Sequence, residues 1–74
     1  MSTAAHARTT YRRRQVDVSV SALDAGSYLV IVVHDPSARV PDQLMEYIVD
    51  VQPLDAAAGL GIAYARDFID GQLH

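Results

Sequence analysis

The chain has 74 residues, of which half are apolar, a formal net charge of −3 and no cysteine. Half apolar content exceeds that of disordered segments, so we expect one small domain with a folded core. The missing cysteines exclude disulfides and thiolate zinc sites, which leaves oligomerisation as the usual aid to stability at this size. The longest apolar run, six residues, excludes a membrane-spanning helix.

The residue usage suggests where the chain comes from. Lysine and asparagine are absent, while alanine, valine, aspartate and arginine are frequent. This bias is typical of GC-rich coding DNA and indicates a bacterial or phage source. The opening "MSTAAHARTTYRRR" has no apolar run behind its basic residues, so it does not resemble a signal peptide. We therefore expect a cytoplasmic protein.

The first residues differ in charge from the rest. Four arginines give residues 1–14 a charge of +4, while nine acids against two arginines leave the other sixty residues at −7. Residues 1–13 are small, polar and basic without periodicity, which predicts a disordered arm before a single domain at 14–74. The arm residues that could contact nucleic-acid phosphate and bases are Arg8, Tyr11, Arg12, Arg13 and Arg14. The acidic body repels phosphate, which weakens that interpretation.

Alternation of apolar and polar residues predicts the first strand directly after this arm. In "QVDVSVSAL" the three valines Val16, Val18 and Val20 share one face. The short loop "LDAGS", with Asp24 and Gly26 as turn residues, predicts an antiparallel hairpin into the next strand.

The second predicted strand, 27–34, has apolar residues at six consecutive positions, so both of its faces need cover. We place Tyr28, Val30 and Val32 on the face toward the helix. The alternate residues Leu29, Ile31 and Val33 then form an apolar stripe on the outer face, together with Ile48 of the following strand.

The segment "LMEYIVDVQ" fits two elements. A helix beginning at Pro41 would place Leu44, Ile48 and Val51 on one side. A strand would place Tyr47, Val49 and Val51 on one face and Ile48, Asp50 and Gln52 on the other. The β-branched and aromatic content favours this strand at about 46–52.

The last segment predicts a helix. Pro53 suits its first position and Gly71 its C-terminal cap. Its apolar arc is roughly 200° wide, whereas a helix on a single sheet needs little more than about 100°. Gly61 lies near the centre of that arc and costs about 1 kcal/mol relative to alanine, which predicts close packing there.

These elements predict an α+β domain in the order β-β-β-α. Its core is a three-stranded antiparallel β-meander with one C-terminal α-helix on one face. Apolar surface remains on both the sheet and the helix, so we expect an oligomer.

No motif indicates catalysis. Adjacent strand residues point to opposite faces, so Asp35 cannot orient the His34 imidazole, and the pair is better explained as the end of the strand. The three histidines and the acids have no metal-ligand spacing, and "GLGIAY" lies inside the predicted helix without the third glycine of a dinucleotide fingerprint. We predict no enzyme activity, cofactor, metal or small-molecule substrate.

The apolar surplus indicates a contact surface for another protein. The predicted interface residues are Leu29, Ile31, Val33, Ile48, Leu60, Tyr64 and Phe68. Alternatively, the loop at 36–44 folds back and covers the stripe with Val40 and Leu44. The leading hypothesis is a non-catalytic interaction module, either a homodimer or an adaptor that modulates another protein. The alternative is a nucleic-acid-associated regulator that uses the basic arm.

Overall fold

The computed structural model describes residues 4–73, which form one antiparallel sheet and one helix packed on one of its faces. The elements are β1 (Ala4–Tyr11), β2 (Arg14–Ala22), β3 (Ser27–His34), β4 (Gln43–Val49) and α1 (Leu54–Gln72). The strands lie in the order β1-β2-β3-β4, and each pairs antiparallel with the next. The predicted α+β class and C-terminal helix are confirmed.

The prediction of three strands is wrong, because the sheet has four. The additional strand is β1, which comes from the segment that composition assigns to a disordered arm. Arg12 and Arg13, with φ of 49° and 69°, connect β1 to β2. Positive φ at both central residues is what a type I′ hairpin turn requires, and it is usually supplied by Asn-Gly or Asp-Gly. Because two arginines occupy these positions instead, the sequence gives no signal for this hairpin.

The predicted facing of β3 is also wrong. Val16, Val18 and Val20 of β2 lie opposite Val33, Ile31 and Leu29 of β3, and all six are between 0% and 5% exposed. Tyr28, Val30 and Val32 therefore lie on the outer face. The reason is the hairpin register: Ala22 pairs with Ser27, so even-numbered residues of β2 share a face with odd-numbered residues of β3. A register that differs by one residue exchanges the faces of a whole strand.

The boundaries of the last two elements differ slightly from the sequence prediction. The segment after the prolines is a strand, as favoured, but it begins at Gln43 and ends at Val49. Pro53 is the N-cap of α1, so the helix begins one residue later than predicted. Gly71 lies within the helix, and the C-cap is Leu73, whose N–H reaches the carbonyl oxygens of Ile69 and Asp70.

Gly26 fixes the β2–β3 turn against the chain that leaves β4. Its φ is +99°, in the region that favours glycine, and a Cβ built there would collide with the carbonyl oxygen of Val49. Nearby, the Ser27 hydroxyl donates a hydrogen bond of 2.8 Å to the carbonyl oxygen of Val51. The turn residue proposed from the sequence thus has two separate reasons to be glycine.

The helix lies close to the sheet along a line of small residues. Ala57, Gly61 and Ala65 are buried on the face of α1 toward the valines of β2. A Cβ built on Gly61 would lie 2.7 Å from Cγ1 of Val18, well inside contact distance. The close packing expected at this glycine is confirmed.

Two alanine substitutions test that contact. Gly59 faces open space, so Gly59→Ala should raise the free energy of unfolding by up to about 1 kcal/mol through helix propensity. Gly61→Ala gains the same propensity, but it must displace Val18 in a filled core at a cost of about 1–3 kcal/mol, so it should be neutral to destabilising. Urea unfolding of both variants measures the difference. Equal stabilisation by the two would contradict the close contact.

Candidate functional site

The His34 region forms a loop anchor. β3 ends at His34, as expected, and its Nδ1 lies 2.5 Å from Oδ1 of Asp42 across the loop. Oδ1 of Asp35 accepts hydrogen bonds from the Ser37 hydroxyl at 2.8 Å and the Ser37 backbone N–H at 3.0 Å. These bonds, chiefly that from the hydroxyl, lower the pKa of Asp35. The two acids near His34 therefore have structural partners, and residues 4–73 contain no cluster of three groups able to hold a metal ion.

A cleft lies between the C-terminal end of α1 and the loop that follows β3. It encloses about 280 Å³, and its walls include Arg14, Val33, Asp35, Val40 and Gln43. Its two charged groups already face each other, since Nη2 of Arg14 is 3.5 Å from Oδ2 of Asp35. Ligand sites usually offer about 300–1,000 Å³ and unpaired polar groups, so this cleft gives no reason to infer a ligand.

The arginines predicted for nucleic-acid binding pair largely with acids of the same chain. Nε of Arg8 donates to Asp17 at 2.6 Å, and Nη1 of Arg12 donates to Asp70 at 2.8 Å. Arg14 is the partner of Asp35 described above, while Arg13 lies in the exposed β1–β2 turn. Three of the four arginines are therefore partly neutralised, which reduces the positive charge available to phosphate.

Tyr11 attaches β1 to α1. Its hydroxyl lies 2.9 Å and 3.0 Å from the two carboxylate oxygens of Asp70, to which it donates. The guanidinium carbon of Arg66 is 5.4 Å from the ring centroid, within the range of a cation–π contact. The hydrogen bond to Asp70 raises the pKa of Tyr11. A ring held in this way is part of the fold and is not free to stack on a base.

The outer face of the sheet is divided into a polar half and an apolar half. The polar half, on β1 and β2, contains His6, Arg8, Asp17 and Ser19. The apolar half, on β3 and β4, contains Tyr28, Val30, Val32, Leu44 and Ile48. Ile48 is 74% exposed and Leu44 is 60% exposed.

The loop does not cover this apolar half. Val40 and Leu44 are the two residues proposed as cover, and they are themselves 57% and 60% exposed. The loop-cover alternative is therefore wrong. The loop instead forms a turn at Asp35, and its ends are joined by the His34–Asp42 contact.

The inner face of β4 meets only the margin of the helix. α1 packs mainly against β1, β2 and β3. At β4 the rings of Tyr47 and Tyr64 stack with centroids 4.7 Å apart, and Gln72 donates a 2.9 Å hydrogen bond to Gln43. Leu60, Tyr64 and Phe68 follow one another at four-residue spacing on this flank and are half-buried. We call Leu44, Tyr47, Ile48, Tyr64 and Phe68 together the β4 surface, in which Leu44 and Ile48 lie on the outer face of the sheet and the other three lie on the helix side.

The predicted interface residues separate into two groups. Leu29, Ile31 and Val33 lie in the core and cannot contact a partner. Ile48 lies exposed on β4, and the other three, Leu60, Tyr64 and Phe68, lie on the helix flank. Sequence reasoning missed Leu44 and Tyr47, although the alternation of Leu44, Glu46 and Ile48 is a strand pattern that would have placed Leu44 beside Ile48.

Comparisons with protein-family models, curated proteins and solved structures find no match to this chain. Within residues 4–73 no helix is both long and apolar enough to cross a membrane.

The Tyr11–Asp70 hydrogen bond predicts a pH-dependent contribution to stability. Because the folded-state pKa of Tyr11 is raised above 10.0, its contribution is fully present below about pH 10 and is lost as the pH rises through the folded value. Tyr11→Phe should therefore destabilise the protein at pH 8, and its deficit relative to the wild type should shrink toward pH 11. Urea unfolding at both pH values measures this deficit.

Asp70→Asn provides the control for the cause of that effect. It should move the Tyr11 absorbance titration back toward the ordinary tyrosine range, because the carboxylate that accepts the hydrogen bond is gone. A Tyr11→Phe deficit that stays constant between pH 8 and pH 11 would contradict the assignment.

Proposed function

We propose that this chain is a small, non-catalytic protein–protein interaction module of the cytoplasm, and that it binds through the β4 surface. The observation that supports this most directly is the exposure of Ile48 and Leu44 on a strand at the edge of the sheet. Large apolar side chains gathered at an edge are typical of a surface that another protein covers.

The composition of β4 also suits pairing with a further strand. An edge strand presents unpaired backbone N–H and C=O groups, and proteins commonly block such edges with prolines, charges or bulges. β4 contains no proline, its only charged residue is Glu46, and it pairs with β3 in continuous register. The edge is thus left open to another chain.

Two kinds of protein partner fit this proposal: a second copy of the chain, or a different protein that the chain modulates as an adaptor. The nucleic-acid alternative has less support, since Arg8, Arg12 and Arg14 each have an acidic partner within the fold. The acidic body also repels phosphate, as its charge of −7 indicates.

Substitution at Ile48 tests the proposal. The wild type should show, by light scattering across a concentration series, a mass that rises above the 8.1 kDa of one chain. Burial of an isoleucine contributes about 1.5–3 kcal/mol, so Ile48→Arg should raise the concentration needed for association roughly ten- to a hundredfold. Ile48 is 74% exposed, so the fold should be preserved, which circular dichroism can verify.

The matched control is Ser19→Arg, which adds the same charge to the exposed polar half of the same face. It should associate like the wild type. A chain that stays monomeric at every concentration, and that captures no partner in an Ile48-dependent manner, would overturn the proposal.

A further inference from the structure

We propose that the open edge of β4 is occupied by β1 of a second copy, so that copies join head to tail into one continuous sheet. This inference rests on the proposed function and specifies its partner. It follows from three features of the described residues: the number of strands, the charges on the two edges, and the register that these charges select.

The number of strands makes such a junction antiparallel. Strand direction alternates along the sheet, so β1 and β4 run in opposite directions. A second copy set beside β4 in the same orientation therefore presents its β1 antiparallel to β4, as every neighbour within the sheet already is. The helices of both copies remain on the same face.

The two edges have opposite charge. On its outer face β1 has Arg8, which is paired with Asp17, and the turn that follows adds Arg12, which is paired with Asp70, and the exposed Arg13. On the same face β4 has Glu46, while Asp42 precedes the strand and Asp50 follows it. Unlike edges attract, and opposite charges directly across two strands stabilise the pair.

One register satisfies both the strand lengths and these charges. When Gln43 lies opposite Tyr11 of the next copy and Val49 lies opposite Ala5, the strands overlap along their full length. Glu46 then lies opposite Arg8, and both side chains are on the outer face. On the inner face the same register places Tyr47, which is 38% exposed, over the small Ala7.

Arg8 is able to make this additional contact. Its side chain is 73% exposed even though its Nε donates to Asp17. A guanidinium has five N–H donors, so the terminal nitrogens can reach Glu46 of the next copy while the bond to Asp17 remains.

Pairing of like edges is less favourable. Two β4 strands in full overlap would place Glu46 opposite Glu46 and Asp42 opposite Asp50. Two β1 strands that pair in the register centred on Arg8 would place Arg8 opposite Arg8. Like charges directly across a strand pair are destabilising, so the charge pattern favours unlike edges.

A junction of this kind leaves one β1 edge and one β4 edge open at the ends of the assembly. Such heterologous contacts continue into a filament or close into a ring. The expected mass is therefore either a broad distribution above two copies or a single higher multiple of 8.1 kDa.

Disulfide trapping tests the junction, because the chain has no cysteine of its own. The register places Thr10 of one copy opposite Leu44 of another, both on the outer face. Cα atoms of opposite residues in antiparallel strands are about 4.5–5.5 Å apart, within the range that a disulfide spans. A mixture of Thr10→Cys and Leu44→Cys chains should form the mixed disulfide as its main oxidised product. A mixture of Thr10→Cys and Ser19→Cys chains, the latter altered on an interior strand, should not.

Charge exchange tests the same register without cysteines. Arg8→Glu and Glu46→Arg should each weaken association on the order of five- to tenfold, because an attraction becomes a repulsion. The double variant Arg8→Glu/Glu46→Arg should recover association to within about twofold of the wild type. If β4 paired with β4, Arg8→Glu would have no effect and the double variant would not recover.

Different experimental outcomes would contradict the head-to-tail junction and the proposed function. A 44–44 disulfide with a mass of two copies, or Ile48-dependent association without a 10–44 disulfide, would overturn the head-to-tail junction and leave the interaction module intact. A chain that is monomeric throughout, with no Ile48-dependent partner, would overturn both.

Discussion

The close contact between Gly61 and Val18 determines how the helix lies on the sheet. Without a side chain at Gly61, α1 approaches β2 closely enough for Ala57 and Ala65 to fill the interface with small groups. The large apolar residues of the sheet, such as Ile31 and Leu29, share one core with these alanines and are fully buried. The position of one glycine thus centres the helix over the middle of β2.

That position leaves one edge of the sheet uncovered. A helix is about 10–12 Å in diameter, and neighbouring strands are about 4.8 Å apart, so one helix covers two to three strands. α1 covers β1, β2 and β3, and Tyr11 with Asp70 fastens it on the β1 side. β4 receives only the margin of the helix, through Tyr47 and Tyr64. The partial exposure of Tyr47 follows from this geometry, whereas Leu44 and Ile48 are exposed because they lie on the outer face of the sheet, away from the helix.

The strongest sequence patterns correctly predict individual strands and the helix. The number of strands and the face on which each residue lies depend on weaker signals. The valine alternation of β2 and the apolar arc of α1 correctly gave a half-buried strand and a helix that packs closely at Gly61. The sequence does not predict β1, because its alanines and threonines give little alternation of apolar and polar residues and because two arginines replace the usual turn residues. The faces of β3 depended on hairpin register, which a strand apolar on both sides does not reveal. Consequently the sequence indicates the exposed apolar residue Ile48, but it does not show that Leu29, Ile31 and Val33 face the core.

The charges of the chain are arranged differently in the folded sheet than along the sequence. In the sequence, a basic beginning and an acidic remainder resemble an arm and a body. In the sheet, the basic residues of β1 lie on one edge, and Glu46, with Asp42 and Asp50, lies on the other. The meander places the first and last strands at opposite edges, so Arg8 and Glu46 are separated across the sheet, while Asp17 and Asp70 lie beside the arginines of β1 and its turn. This charge arrangement supports the head-to-tail assembly that we propose, because opposite charges directly across two strands attract and like charges repel.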